Sequence, residues 1–266
     1  MMTDAETRPR GARYIITCVS IGLGAGLLSG LFGVGGGTVI VPLLVLVLGF
    51  GQRLAAGTSL GAIVPTAAVG VISYGLNDSV AWIPALILAA GAVIGAQIGT
   101  WLLPKVPVTA LRWGFVGFLV VVIVSLFLVV PSRDAELPLS VLTVIGLVVL
   151  GLITGTLAGL LGVGGGVVVV PVLMLLFGTS DLIAKGTSLL MMIPAALSGT
   201  IGNIRRHNVD LVAAGIVGLA ACTTTALGAW LATLLRPEVA NILFAGFLLV
   251  IAVQMALKAI RGRKQA

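Results

Sequence analysis

Two glycine runs, Gly33-Val34-Gly35-Gly36-Gly37 and Gly162-Val163-Gly164-Gly165-Gly166, are the residues whose type and spacing point most directly to chemistry. Each lies between two apolar segments and is followed by β-branched residues and a proline. Consecutive glycines interrupt a helix, and the next helix then starts with backbone N–H groups that have no intrahelical partner. At the positive end of a helix dipole such groups form an anion site. Neither run fits a nucleotide motif, since Thr38 stands where a dinucleotide fingerprint needs glycine and no Gly-Lys-Ser/Thr occurs.

Hydroxyls and cations complete the candidate set. Gly57-Thr58-Ser59 and Gly186-Thr187-Ser188 place hydroxyl pairs at the start of two apolar segments. They read either as donors to an oxyanion or as helix caps and back-bonded side chains. Lys185 adjoins the second triplet, and Asn203, Arg205, Arg206 and His207 close the segment that follows it. Lys185, Asn203 and Arg205 are the candidates for a substrate-selective group. The competing reading of the arginines is a topology anchor with a snorkelling side chain. His207 is expected in a loop, with proton coupling as its competing reading, and Gln97 in an interhelical hydrogen bond. No Asp or Glu falls at the centre of an apolar segment, so a buried-carboxylate proton relay has no obvious candidate. Cys18, Cys222 and the single histidine assemble neither a disulfide framework nor a metal site, and no cofactor is expected.

The elements that position these residues are membrane helices. Of 266 residues 59% are apolar and 9% charged, with a mean hydropathy of +1.24, which excludes a soluble globular domain. The basic excess reads as a topology signal and not as a nucleic-acid footprint. Gly22 to Gly37 matches Gly151 to Gly166 at 11 of 16 positions, and the same offset of 129 pairs Pro42 with Pro171, Pro65 with Pro194 and Trp101 with Trp230. The chain is one duplicated unit, with a period too long for a solenoid. The second copy also argues that the basic, then apolar, N-terminal stretch is retained and not a cleaved signal peptide.

Apolar segments are expected at 14–32, 38–50, 54–76, 80–103 and 108–130, and again at 141–161, 167–178, 183–203, 209–232 and 239–259. These make two transmembrane repeats, 14–130 and 141–260, joined by a loop at 131–140, with tails at 1–13 and 261–266. The 13 residues of 38–50 reach only about 20 Å as a helix, so each repeat's second segment is either a short span or half of a re-entrant hairpin. With both termini inside, twelve basic residues fall on the cytoplasmic side and three (Arg133, Lys185 and Arg236) outside. The number of crossings per half is then odd and the two repeats are inverted. Glycines spaced four apart at 22, 26 and 30, at 151, 155 and 159, and at 91, 95 and 99 are expected to bring helices close together.

With its paired GVGGG-x4-P and GTS-L blocks, the chain resembles the sulfite exporter TauE/SafE family over residues 14–260. The resemblance implies an all-α, polytopic, inner-membrane secondary transporter of two inverted repeats. It also implies that sulfite, organosulfonates or related small anions are moved, usually outward. By resemblance, Gly33, Gly35, Gly36, Gly37, Thr58, Ser59, Gly162, Gly164, Gly165, Gly166, Thr187 and Ser188 line the pathway. Lys185, Asn203 and Arg205 do not carry over from a motif. The expected partners are a small anionic substrate and the lipid bilayer, with a homodimer as an assembly the sequence allows and no nucleic acid. An anion channel using the glycine loops as its filter is the rival reading. An intramembrane enzyme lacks a base within the bilayer.

Overall fold

The computed structural model describes residues 11–128 and 140–263. Most of the N-terminal tail, half of the C-terminal tail and nearly all of the expected inter-repeat loop, with Arg8, Arg10, Arg133 and Lys264 of the charge count, lie outside the described residues. Among the described residues ten helices occupy the ten apolar segments: α1 (Ala12–Phe32), α2 (Gly37–Leu46), α3 (Gln52–Gly75), α4 (Trp82–Leu102), α5 (Val108–Leu128), α6 (Val141–Leu161), α7 (Gly166–Phe177), α8 (Asp181–Ile204), α9 (Leu211–Leu234) and α10 (Pro237–Arg263). Six of them, α1, α3, α4, α6, α8 and α9, are long and apolar enough to cross a membrane. The chain is an all-helical polytopic membrane protein.

The short helices turn back. The end of α2 reaches the start of α1, because Val47 and Leu48 line the same cleft of about 420 Å³ as Gly11, Arg13, Tyr14 and Thr17. Likewise the Phe177 ring at the end of α7 lies against Gly146 at the start of α6. At 10 and 12 residues neither short helix spans a core of roughly 30 Å. Each pairs with the helix before it as a hairpin broken at the glycine run.

The halves interlock. α1 lies along α9, α4 along α6, and α3 against both α8 and α9, while α8 also packs on α4. Glycine makes these approaches possible. A Cβ on Gly22, Gly26 or Gly30 would overlap the carbonyl oxygens of Val217, Ala221 and Thr225, and Gly151, Gly155 and Gly159 meet Leu88, Ala92 and Ala96 of α4 in the same way. The matched numbering makes α1 parallel to α9 and α4 parallel to α6. By contrast α3 and α8, the same segment of the two halves, run antiparallel. Gly57 and Thr58 at the start of α3 meet Asn203 at the end of α8 and Asp210 at the start of α9, whereas Gly186 and Thr187 meet Tyr74 and Ala81.

One end of the bundle therefore gathers the starts of α1 and α3 with the α4–α5 and α8–α9 turns. Tyr14 Oη donates to Asp210 Oδ2 at 3.1 Å, and Arg53 Nη2 to the carbonyls of Pro104 and Val106 at 3.0 Å. Apolar side chains face outward along the helices, and exposed Trp82 and Trp101 mark the two ends of α4, about 28 Å apart along its axis. That separation and the Lys105 ammonium 3.0 Å over the Trp101 ring suit a membrane interface.

Helix contact through glycine has a measurable consequence. Gly26→Val should lower the stability of the detergent-solubilised protein by about 3 kcal/mol, through overpacking against the Ala221 carbonyl. Gly24→Ala, two residues away on the exposed side with open space around it, should stay within about 1 kcal/mol in the same unfolding series.

Candidate functional site

The glycine loops that break the two hairpins meet inside the bundle. Gly37, the first residue of α2, lies against the Gly162 carbonyl and Val163, and Gly166, the first residue of α7, lies against the Gly33 carbonyl and Val34. A Cβ on Gly37 would approach Gly162 O to 2.6 Å, and one on Gly166 would approach Gly33 O to 2.7 Å. The other glycines of each run serve the backbone: Gly33, Gly35 and Gly36, and Gly162, Gly164 and Gly165, all have φ between 67° and 87°, the left-handed region. Every glycine in the two runs thus answers a steric demand, either a left-handed turn or contact with the opposite loop.

Each loop leaves donors behind it. The first backbone bonds of α2 run from Val39 and Ile40 to the Gly36 carbonyl, and those of α7 from Val168 and Val169 to Gly165. The preceding N–H groups have no place in the helical ladder. Two buried hydroxyls flank the first loop without a hydrogen-bond partner, Ser29 in the last turn of α1 and Thr38 in the first turn of α2. The second half has Ala158 and Val167 at these positions.

The serines tie the loops to the long helices of the opposite half. Ser59 Oγ donates to Gly162 O at 2.8 Å, and Ser188 Oγ donates to Gly33 O at 2.6 Å while lying 2.8 Å from Lys185 O. The threonines accept instead: Thr58 Oγ1 takes the Asp210 N–H and Thr187 Oγ1 the Ala81 N–H, both at 3.0 Å. Each pair therefore joins a glycine loop and a helix start to the same turn of α3 or α8. Ile63 and Met192, equivalent by the 129-residue offset, fill the space between the loops, since both touch the positions a Cβ would take on Gly35 and Gly164. Neither exposes any surface.

The cations separate. Lys185 is 5% exposed, packs its backbone and stem on Gly33, and holds its ammonium 3.3 Å from Asp181 Oδ2. Arg205 caps the end of α8 and is exposed, and Arg206 donates to Gly202 O at 2.6 Å, so neither is gathered at the loops. Asn203 is fully buried against Gly57; its Nδ2 donates to Gly199 O, while Oδ1 has no hydrogen-bond partner. His207 sits in the α8–α9 turn with φ 56°, and Gln97 of α4 donates to Ser198 of α8 at 2.8 Å. Among the described residues no group of three or more His, Cys, Asp or Glu side chains is placed to hold a metal ion.

Sequence reasoning passed over Ser29, Thr38, Ile63, Met192 and Asp181. The signal for Ile63 and Met192 was present, two residues before the paired prolines. For Ser29 and Thr38 no repeat marks them, because their matching positions are apolar.

Known proteins place the chain. The profile of the family described as sulfite exporter TauE/SafE matches residues 2–126 and 147–266. Probable membrane transporter protein YdhB of Bacillus subtilis is 30% identical over 190 residues, covering 70% of this chain and 78% of that protein. A probable membrane transporter protein of Xylella fastidiosa is 29% identical over 82% of this chain and 85% of its own length. Probable membrane transporter protein YjnA of Bacillus subtilis is 27% identical over 88% and 97%. No solved structure gives a significant match. The chain belongs to the TauE/SafE family and is a membrane transporter, not an enzyme.

Loss of a serine tie leaves a buried carbonyl without its donor. Ser59→Ala and Ser188→Ala should each cost about 1–3 kcal/mol of stability, read as a lowered unfolding midpoint. Ser73→Ala, whose hydroxyl only back-bonds to Val69 O in its own helix, should change it little.

Proposed function

We propose that this TauE/SafE transporter is a secondary carrier of small anions, sulfite and organosulfonates foremost, exported by alternating access about the paired glycine loops. The observation that carries this reading is the first loop: buried, unpartnered Ser29 and Thr38 hydroxyls flank the N-terminus of a helix broken inside the bundle. Helix dipole, N–H groups outside the helical ladder and hydroxyl donors together suit an oxyanion. Lys185, packed on the same loop, supplies the positive charge. Broken helices meeting at a repeat interface are the usual place for substrate in carriers with inverted repeats.

The two repeats are inverted in the membrane in this reading, with both termini in the cytoplasm of a bacterial cell and the chain in its inner membrane. The antiparallel course of α3 and α8 supports it. So does charge, because Arg13, Arg53, Lys105, Arg205 and Arg206 belong to the end where α1 starts, while Lys185 belongs to the other. Ile63 and Met192 favour a carrier over a channel: they close the space between the loops with apolar side chains, and opening one side at a time requires them to part.

Three measurements test this reading. Purified protein in proteoliposomes should give saturable, electrogenic uptake of sulfite or sulfoacetate in a panel that includes sulfate, acetate and chloride. Linear chloride current without saturation would make it a channel. Gly36→Val and Gly165→Val place a β-branched residue at φ 75° and 87°, and each should abolish flux while the protein still reaches the membrane; normal flux in either removes the loops from the site. Cysteines introduced between 131 and 137 should label from outside the cell, and labelling from the cytoplasm would reverse the sidedness.

A further inference from the structure

Beside Lys185 sits a buried acid. Asp181 opens α8, is 2% exposed, and reaches Lys185 one turn later through Oδ2 at 3.3 Å; its Oδ1 has no hydrogen-bond partner. A buried ion pair adds little to stability once both charges have been desolvated. The fold does not need this one, because Gln52 and Ala56 hold the matching positions in α3, and that helix forms without a charge pair. The pair is an addition to one half of the protein. It is also joined to the first glycine loop, where Gly33 packs on Lys185 and Ser188 Oγ lies within hydrogen-bond distance of both their carbonyls.

Of the other ionisable groups, Asp78 lies in the exposed α3–α4 turn, whose Ser79 carbonyl meets Gly186 beside Lys185. α4, α6 and α7, which pack against α8, carry no Asp, Glu, Lys, Arg, His, Cys or Tyr. From α3 comes Tyr74, within electrostatic reach of Asp181, its hydroxyl donating to Gly30 O at 2.7 Å. Arg53, the other ionisable residue of α3, is at that helix's opposite end, bound to Pro104 and Val106. The loop after α1 presents Gly33 here, and Arg13, Tyr14 and Cys18 of α1 belong to its first two turns, at the far end.

We propose that Asp181 is an internal competitor for Lys185, and that a proton taken up by Asp181 frees the lysine for the substrate anion. This deepens, and rests on, the reading that Lys185 serves an anion at the first glycine loop. In the empty carrier the two side chains neutralise each other. When an anion arrives, the Nζ–H···Oδ2 contact breaks, the ammonium turns to the anion, and an O–H bond forms on Asp181 with a proton drawn from water. Without that proton two negative charges would share one lysine in the interior, which burial strongly disfavours. Anion and proton therefore bind together and leave together, the carboxylate reclaiming Lys185 on release. A dianion carried with one proton still moves one negative charge, so a potential negative inside drives it outward.

The test uses the full-length protein in proteoliposomes with sulfoacetate, whose acid groups stay ionised between about pH 6 and pH 8. In the wild type the KM should rise by about tenfold or more across that interval, since each proton-linked binding event follows the proton concentration. Asp181→Asn should bind sulfoacetate more tightly at the higher pH and lose the pH dependence, while Lys185→Ala should lose uptake. An Asp181→Asn variant with the wild-type KM and pH profile overturns the proposal. A second measurement needs no variant: a trapped pH dye should record about one proton per anion, and anion flux without proton movement overturns the proposal while leaving the carrier reading intact. Wild-type protein that carries no anion of the panel overturns the carrier reading, and this inference with it.

Discussion

Backbone polarity inside a membrane is the constraint on which the structure depends. Lipid supplies no partner for an N–H or C=O group, so a chain that breaks its helices at membrane depth must bury the breaks in protein and bond them there. Both glycine runs break a helix, and both are buried against one another. Their exposed carbonyls, Gly33 O and Gly162 O, are taken up by Ser188 and Ser59 of the opposite half. Each half completes the other, which makes a single copy of the repeat an incomplete structure.

Close glycine contact supplies the frame around that centre. Helices in lipid gain no hydrophobic drive from pairing, and their association depends on packing and interhelical hydrogen bonds. The faces of α1 and α9, and of α4 and α6, meet backbone to backbone through glycine, with Thr224 Oγ1 adding a bond to Leu23 O at 2.8 Å. These rigid pairs hold α3 and α8 in the middle, where the threonine and serine ties are made.

Symmetry builds the scaffold, and the polar residues depart from it. Ser29 and Thr38 face apolar twins, Lys185 and Asp181 replace Ala56 and Gln52, and Tyr74 stands where the second half has Asn203. Lys185 packs on Gly33 and pairs with Asp181, Tyr74 donates to the Gly30 carbonyl, and Ser29 and Thr38 flank the same loop. A duplicated fold thus carries polar groups in one half that the other half lacks, and in the proposed carrier these serve the anion, because polar groups in a bilayer are costly.

Sequence alone determined the class, the ten segments and the duplication, for physical reasons that act locally. Apolar run length against bilayer thickness marks the helices, a fixed offset of 129 exposes the repeat, and glycine spacing at 22, 26 and 30 announces close helix contact. It also singled out the glycine runs and Lys185. Only the tertiary structure decided that the short segments turn back, since a 13-residue apolar stretch is compatible with either course. It likewise decided that the serines bond across the halves, that Ile63 and Met192 close the loops, and that Asp181 and Lys185 are buried together while Arg205 is left at the surface. Each of these depends on which residues from distant segments share a volume, and charge and hydropathy, being properties of single segments, hold no record of that.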